Sequence, residues 1–252
     1  MGSILNYNLV KEYLTNNFTT KKDVNGKEYK ELTPLKYRWT HGATDKHLGD
    51  ALVIYSLIQM MRAKIVVCLG SGGGFIPRVM VQAHRDLTDQ GIFEEYNVWN
   101  KIQVYVVDAA NGIGGNNDWK DKDSFFRSNF YLRVILDTTE NAYYNFFVKE
   151  DLKIDYLHID ADHSYEGVKK DFELYSKLVK KTGIISIHDT DQNYHDNYIV
   201  SDDTKEEFYE PFDGPAKFIQ DIGSEWKTFN LFNEGIIKDK PSSTGLTLIQ
   251  HA

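Results

Sequence analysis

Hydrophobic and polar positions along this chain follow two alternating periods. Short runs of apolar β-formers recur between stretches whose apolar residues fall three to four apart; the first pattern is that of buried strands, the second that of amphipathic helices. The runs are Ile65–Leu69, Ile102–Val107, Leu132–Ile135, Ile154–Ile159 and Gly183–Ile187. A helix is expected over Ala51–Met61, with Leu52, Tyr55, Ile58 and Gln59 at helical spacing. A second should follow the glycines after the first run, with Pro77 in its first turn and Val79, Met80, Val81 and Ala83 beyond. A third is expected over residues 164–180, facing Val168, Phe172, Tyr175, Leu178 and Val179 inward. Such alternation predicts right-handed crossovers and an α/β fold, a doubly wound, mostly parallel, Rossmann-like sheet with helices on both faces. After a helix near Pro215–Ile222, Trp226–Leu231 and Thr244–Ile249 flank N-E-G and P-S-S-T turn signals. They read as an antiparallel pair at the sheet edge, giving seven strands in all.

The remaining segments carry less pattern. Residues 4–18 space Leu5, Val10, Tyr13, Leu14 and Phe18 as an amphipathic helix would, and residues 19–33 are polar and turn-like. Residues 1–50 therefore read as an N-terminal extension of helix and loop, ahead of one domain over 51–252. Inside that domain, residues 190–213 are acidic, aromatic and turn-rich, as lids and binding loops are. Their Tyr194, Tyr198, Phe208, Tyr209 and Phe212 suit either stacking on an acceptor or surface packing.

Bulk properties narrow the partners. At 252 residues, 41% hydrophobic and 26% charged, the chain suits one ordinary core. It has no run of about 18 apolar residues to span a membrane, and its start does not resemble a secretory signal. Cys68 is the only cysteine, which excludes an intrachain disulfide or a cysteine metal cluster and fits a reducing cytoplasm. A net charge of −8 offers no field for nucleic acid, so a small molecule or sugar is the expected partner.

In a doubly wound sheet the ligand lies beyond the carboxyl ends of the strands. Here those ends are Gly70, Asp108, Asp137, Asp160 and Asp189. Carboxylates gathered so closely repel unless a cation or a hydroxyl-rich ligand takes up their charge, or unless they cap the following helices. Asp108 is suited to accept both hydroxyls of a ribose. The glycine turn G-S-G-G-G-F has Phe75 where a dinucleotide fingerprint needs its third glycine, and no lysine follows in P-loop spacing. His163, three residues past Asp160, is a candidate general base, with helix capping as its alternative role. Asp160, His188 and Asp189 form a candidate set for a divalent cation that would lower the pKa of an acceptor hydroxyl. A histidine in that set suits Mn or Zn better than Mg, or signals no metal at all. Asp162 reads as the cap of the helix at 164.

The glycine turn, Asp108, D-T-T-E, I-D-A-D-H-S-Y-E-G-V-K-K-D and I-S-I-H-D together resemble class I S-adenosylmethionine-dependent methyltransferases, over roughly residues 40–250. More narrowly they are similar to macrocin O-methyltransferase, related sugar O-methyltransferases and cephalosporin hydroxylase-like proteins. H-G-A-T-D-K, residues 41–46, is similar to the G-T-D-K stretch ahead of the domain in some relatives. The resemblance implies S-adenosylmethionine as cofactor, with Gly70, Ser71 and Gly72 near its amino-acid part. Asp108 and Ala109 would then lie at the ribose, Asp137 and Thr138 by the adenine, and Asp160 beside both cofactor and acceptor. It implies His163 as the base, O-methylation of a sugar or other polyhydroxylated natural product, and frequent homo-oligomers. Cys68 departs from the pattern, which places an acid two positions before the first glycine. The alternatives are an NAD(P)-dependent oxidoreductase and a non-catalytic cofactor-binding protein.

Overall fold

The computed structural model describes residues 18–32, 41, 48–93, 102–109, 129–191, 214–231, 236–237, 240–241 and 245–252. It opens on a hairpin: β1 (Phe18–Lys22) and β2 (Glu28–Leu32) pair antiparallel. Asp23 Oδ1 accepts the N–H groups of Asn25 and Lys27, and Gly26 takes φ 77°. The stretch expected to be polar and turn-like is thus two paired strands. Its D-V-N-G turn, rather than any hydrophobic alternation, sets the pairing. The expected helix over residues 4–18 lies outside the described residues, apart from Phe18, which begins β1.

The domain proper runs α1 (Ala51–Met61), β3 (Ile65–Leu69), α2 (Phe75–Asp89), β4 (Gln103–Val107) and β5 (Leu132–Ile135). A short helix α3 (Thr139–Ala142) continues as a π turn to Phe147, followed by β6 (Ile154–Ile159), α4 (Tyr165–Tyr175) and β7 (Val179–His188). Then come α5 (Gly214–Asp221), β8 (Trp226–Leu231), the two-residue strands β9 (Ile236–Ile237) and β10 (Lys240–Pro241), and β11 (Leu246–His251). Seven of these strands form one sheet in the order β5-β4-β3-β6-β7-β11-β8. The first five are mutually parallel, while β11 runs antiparallel to both β7 and β8. Strand order reverses between β3 and β6, so the crevice of the doubly wound sheet opens there.

Side-chain alternation along the strands divides the core. Val66 and Cys68 of β3 face Ile54, Ile58, Val79 and Met80 of α1 and α2, whereas Val67 and Leu69 join Phe147, Phe172, Tyr175 and Phe218 on the other face. The covering face of α1 is Ala51, Ile54, Tyr55 and Ile58. Leu52, expected inward, is 48% exposed, because the sheet below selects the stripe one residue round the helix. The helix expected over 164–180 ends at Tyr175. A 3₁₀ turn over Ser176–Leu178 follows, and Val179 already pairs with Ile154 of β6. Residues 192–213, most of the expected lid, lie outside the described residues. No helix among the described residues is long and apolar enough to cross a membrane.

One buried charge is poorly matched. Asp171 of α4 is 2% exposed, and its Oδ2 has no hydrogen-bond partner. Burial, opposed by a hydrogen bond from Thr139, raises its pKa to about 6. The folded state thus binds a proton more tightly than the unfolded chain between about pH 4 and 6, so the stability contributed at low pH is lost as pH rises through about 6. Asp171→Asn is expected to stabilise the protein at pH 7 by up to about 3 kcal/mol, the equivalent of two pKa units. That gain should vanish near pH 4, and thermal melts of both proteins across this range check it.

Candidate functional site

At the reversal of strand order, β3 ends in a turn held between its neighbours. Gly70 N–H donates to Val107 O at 2.9 Å, and Asp160 N–H donates to Leu69 O at 2.9 Å. Gly70 takes φ 73°, and a Cβ there would lie 2.0 Å from the backbone oxygen of Asp160. Only glycine fits so close an approach. The Cys68 thiol donates to Gly70 O at 2.9 Å, and burial, with Asp160 and Asp108 nearby, pushes its pKa well above the ordinary thiol value. Cys68 is therefore a neutral clasp on the turn where relatives are expected to carry an acid. Ser71 Oγ donates to Asp108 Oδ2 at 2.6 Å, tying the turn to the end of β4. Gly72 follows within the turn, Ala109 is exposed beside Asp108, and Phe75 is fully buried as the first residue of α2.

Asp137 and Thr138 lie two strands away, after β5, and engage in capping. Thr138 Oγ1 accepts Asn141 N–H at 3.2 Å, and Asp137 Oδ1 accepts the Thr138 N–H and Asn141 Nδ2 at 2.8 and 3.0 Å. Asp162 is not the cap of α4. Ser164 fills that position, accepting Gly167 N–H at 3.0 Å, while Asp162 Oδ1 accepts Ser164 N–H at 2.8 Å.

The ends of β6 and β7 bring Asp160, His163, His188 and Asp189 together. His163 Nε2 lies 2.8 Å from Asp189 Oδ2 and 3.3 Å from Asp160 Oδ1. His188 Nδ1 lies 3.4 Å from Asp160 Oδ1 and 3.2 Å from Asp189 Oδ1. Asp189 holds φ 58°, a left-handed conformation that a non-glycine residue adopts at a cost and that re-aims its carboxylate. Burial opposes charge on His163, yet its bonds to Asp160 and Asp189 outweigh this and raise its pKa to about 10. His188 is likewise buried and is likewise held well above the ordinary histidine value by Asp189 and Asp160. Both carboxylates move down in return, their burial overcome chiefly by His188. As the side chains stand, His163 is a cation at neutral pH, unlike the largely neutral imidazole of an isolated histidine.

The structure adds three residues to this cluster. His41, from the segment ahead of the domain, places Nδ1 3.0 Å from His188 Nε2 and Nε2 3.5 Å from Asp160 Oδ2. Burial and His188 lower its pKa to about 3, so the His188 N–H donates and neutral His41 accepts. Asp50, just before α1, lies 3.8 Å from His188 Nε2. His158 is fully buried on β6; its Nδ1 is 2.8 Å from Ser186 Oγ, which is 2.7 Å from Tyr156 OH. The spacing H-I-D already placed His158 on the same strand face as Asp160. Nothing local in H-G-A-T-D-K signals that His41 reaches residues more than a hundred positions away. Among the described residues, two sets have donor atoms within 4.8 Å of one another, as a metal ion requires: His41, Asp160 and His188, and Asp160, His163 and Asp189.

A family described as "Methyltransferase domain" matches residues 67–190, which hold the glycine turn, both clusters' carboxylates and His163. No curated protein matches the sequence. Among solved structures, an O-methyltransferase from Bacillus cereus in complex with SAH is similar at TM-score 0.54 and 14% identity, covering 85% of this chain and 84% of that one. The O-methyltransferase TomG from Streptomyces achromogenes, involved in tomaymycin synthesis and in complex with SAM, is similar at TM-score 0.53 and 10% identity over 100% of both chains. A SAH-bound methyltransferase from Podospora anserina gives TM-score 0.50 at 14% identity, also over 100% of both. The family match falls on the glycine turn and the strand ends, and the sheet that carries them is the one found in these methyltransferase structures.

Proposed function

We propose that the enzyme methylates a hydroxyl of a small polyhydroxylated or sugar acceptor with S-adenosylmethionine, assisted by a divalent cation. The observation that carries this reading is one residue with two faces. The backbone of Asp160 packs on the glycine turn, while its carboxylate joins the imidazole cluster. A cofactor on the turn and a hydroxyl at the cluster would therefore be neighbours. Bound there, S-adenosylmethionine supplies an electrophilic methyl on a sulfonium, so the protein has chiefly to align an oxygen and take its proton. Asp108, half-buried and anchored by Ser71, has the acceptor chemistry for a ribose diol. Gly70, Ser71, Gly72 and Ala109 would border the rest of the cofactor, with Asp137 and Thr138 towards the adenine.

Asp160, His188 and Asp189 would hold the cation, whose charge would lower the pKa of an acceptor hydroxyl. His163 Nε2 is the nitrogen that meets Asp160 and Asp189, and it would receive the acceptor's proton once these carboxylates are engaged elsewhere. The C–O bond forms as the C–S bond breaks, leaving a neutral thioether. Residues 190–213 would choose the acceptor. No observation favours hydride transfer.

Isothermal titration checks the cofactor. S-adenosylmethionine and its demethylated product should bind at about micromolar strength, and a nicotinamide dinucleotide should give no heat. Asp108→Ala should weaken cofactor binding roughly 10- to 100-fold through loss of two hydrogen bonds to a charged acceptor. Dinucleotide binding with silence for both adenosyl compounds would refute the reading.

A further inference from the structure

We infer that Gly214 is a positioning residue: through it, α5 seats the backbone of His163 so that the imidazole meets Asp160 and Asp189. This deepens the proposed function by naming what holds its base, and rests on that reading only for the base's use. The three groups are not carried alike. Asp160 and Asp189 immediately follow β6 and β7, which are adjacent parallel strands, and Asp160 N–H donates to Leu69 O at 2.9 Å. His163 lies instead on the short link between β6 and α4, outside the ladder of the sheet. Its Nε2 keeps carboxylate partners at 2.8 and 3.3 Å. A shift of the link by about 1 Å would take both beyond hydrogen-bond range.

The start of α5 closes on that link. A Cβ on Gly214 would lie 2.2 Å from His163 O, 2.4 Å from Tyr165 N and 2.5 Å from the Ser164 carbonyl carbon. All three are backbone atoms, so any side chain at 214 is accommodated only by moving the link or α5, by on the order of 1 Å. Neither is free to move alone, because the rest of α5 is anchored on α4. The ring centroid of buried Phe218 lies 5.1 Å from that of Phe172, and Tyr165 OH donates to Asp221 Oδ2 at 2.9 Å. The capping bonds of Asp162 and Ser164 fix the turn into α4, but they engage the N–H groups of Ser164 and Gly167. The contact from α5 falls on His163 itself.

The test treats the whole chain with diethyl pyrocarbonate at neutral pH and follows carbethoxylation of His163 by mass spectrometry. The reagent takes an accessible, unprotonated imidazole, so His163, 23% exposed and engaged by two carboxylates, should react slowly in the parent. Gly214→Ala and Phe218→Ala should each speed that reaction at least about 10-fold by drawing the ring off its partners. Ile58→Ala opens a cavity in the core on the other face of the sheet and controls for stability. With a comparable fall in melting temperature, it should leave the His163 rate at the parent value. Folded Gly214→Ala and Phe218→Ala proteins whose His163 reacts as in the parent would overturn the inference. Equal acceleration in Ile58→Ala would do the same, since Gly214 would then serve stability alone. If circular dichroism shows both α5 variants unfolded, Tyr165→Phe decides, because it removes only the outer hydrogen bond to α5. A roughly two- to threefold faster reaction supports the seat, and an unchanged one overturns it. S-adenosylhomocysteine titrated into the parent separates the failures. No binding sinks the methyl-transfer reading and leaves the seat of His163 standing, whereas normal binding beside unchanged His163 reactivity in the variants sinks only the role of Gly214.

Discussion

Replacing Gly70 by alanine is expected to abolish measurable cofactor binding and to lower stability by about 2–5 kcal/mol. Two costs add. A left-handed backbone costs an L-residue about 1–2 kcal/mol, and Gly70 sits at φ 73°. The new methyl would also meet Asp160 O at 2.0 Å and Ala161 Cα at 2.7 Å, both backbone atoms that no rotamer change can move. Overpacking of that kind costs about 1–3 kcal/mol. Relief requires β3 and β6 to separate at their ends, where Asp160 N–H holds Leu69 O at 2.9 Å. Separation would misplace the carboxylate that joins the turn to the imidazole cluster, so binding should fail even where the fold survives. Urea melts and cofactor titration together measure both effects. A variant that melts with the parent and binds the cofactor normally would show that the turn does not need this contact.

The same turn shows how far sequence reasoning reaches. An apolar run that stops at glycine, and acids that close the next strands, are local signals, and the seven-stranded sheet follows from them. Asp108, Asp160, His163, His188 and Asp189 stand where their strands end, so membership of one crevice was legible once the strands were counted. The state of His163 was not. Its protonation depends on two carboxylates arriving from β6 and β7 at 3.3 and 2.8 Å, distances that no spacing along the chain encodes. His41 is harder still. It is separated from His188 by 147 positions, and no local pattern encodes a contact at that range. The hairpin at residues 18–32 escaped for a different reason: its strands lack an apolar face, so a reading based on hydrophobic period finds nothing there.

Asp160 is the residue whose loss should cost most in turnover. Its carboxylate faces His41, His163 and His188 at 3.5, 3.3 and 3.4 Å, so Asp160→Asn keeps the shape and removes the charge that two cationic imidazoles share. Leaving a buried charge without its partner costs about 3–5 kcal/mol; the imidazoles can shed protons, so the smaller figure, about 3 kcal/mol at pH 7, is expected. The sign with pH follows from the direction of the histidine shifts. A histidine whose folded pKa is raised stabilises fully below its unfolded value, and that contribution is lost as pH rises through the folded one. For His163 the folded value is about 10, so the parent should lose stability gradually from about pH 6.5 up to that point. In Asp160→Asn, with only Asp189 left against His163, the loss should be smaller and complete at lower pH. Turnover, read as release of S-adenosylhomocysteine with an acceptor that supports it, should fall at least 10²- to 10³-fold, as when a preorganised electrostatic partner is removed. If the Asn variant turns over like the parent and its melting temperature tracks the parent's from pH 6 to 10, Asp160 neither serves the chemistry nor charges His163, and the two-faced role given to it fails.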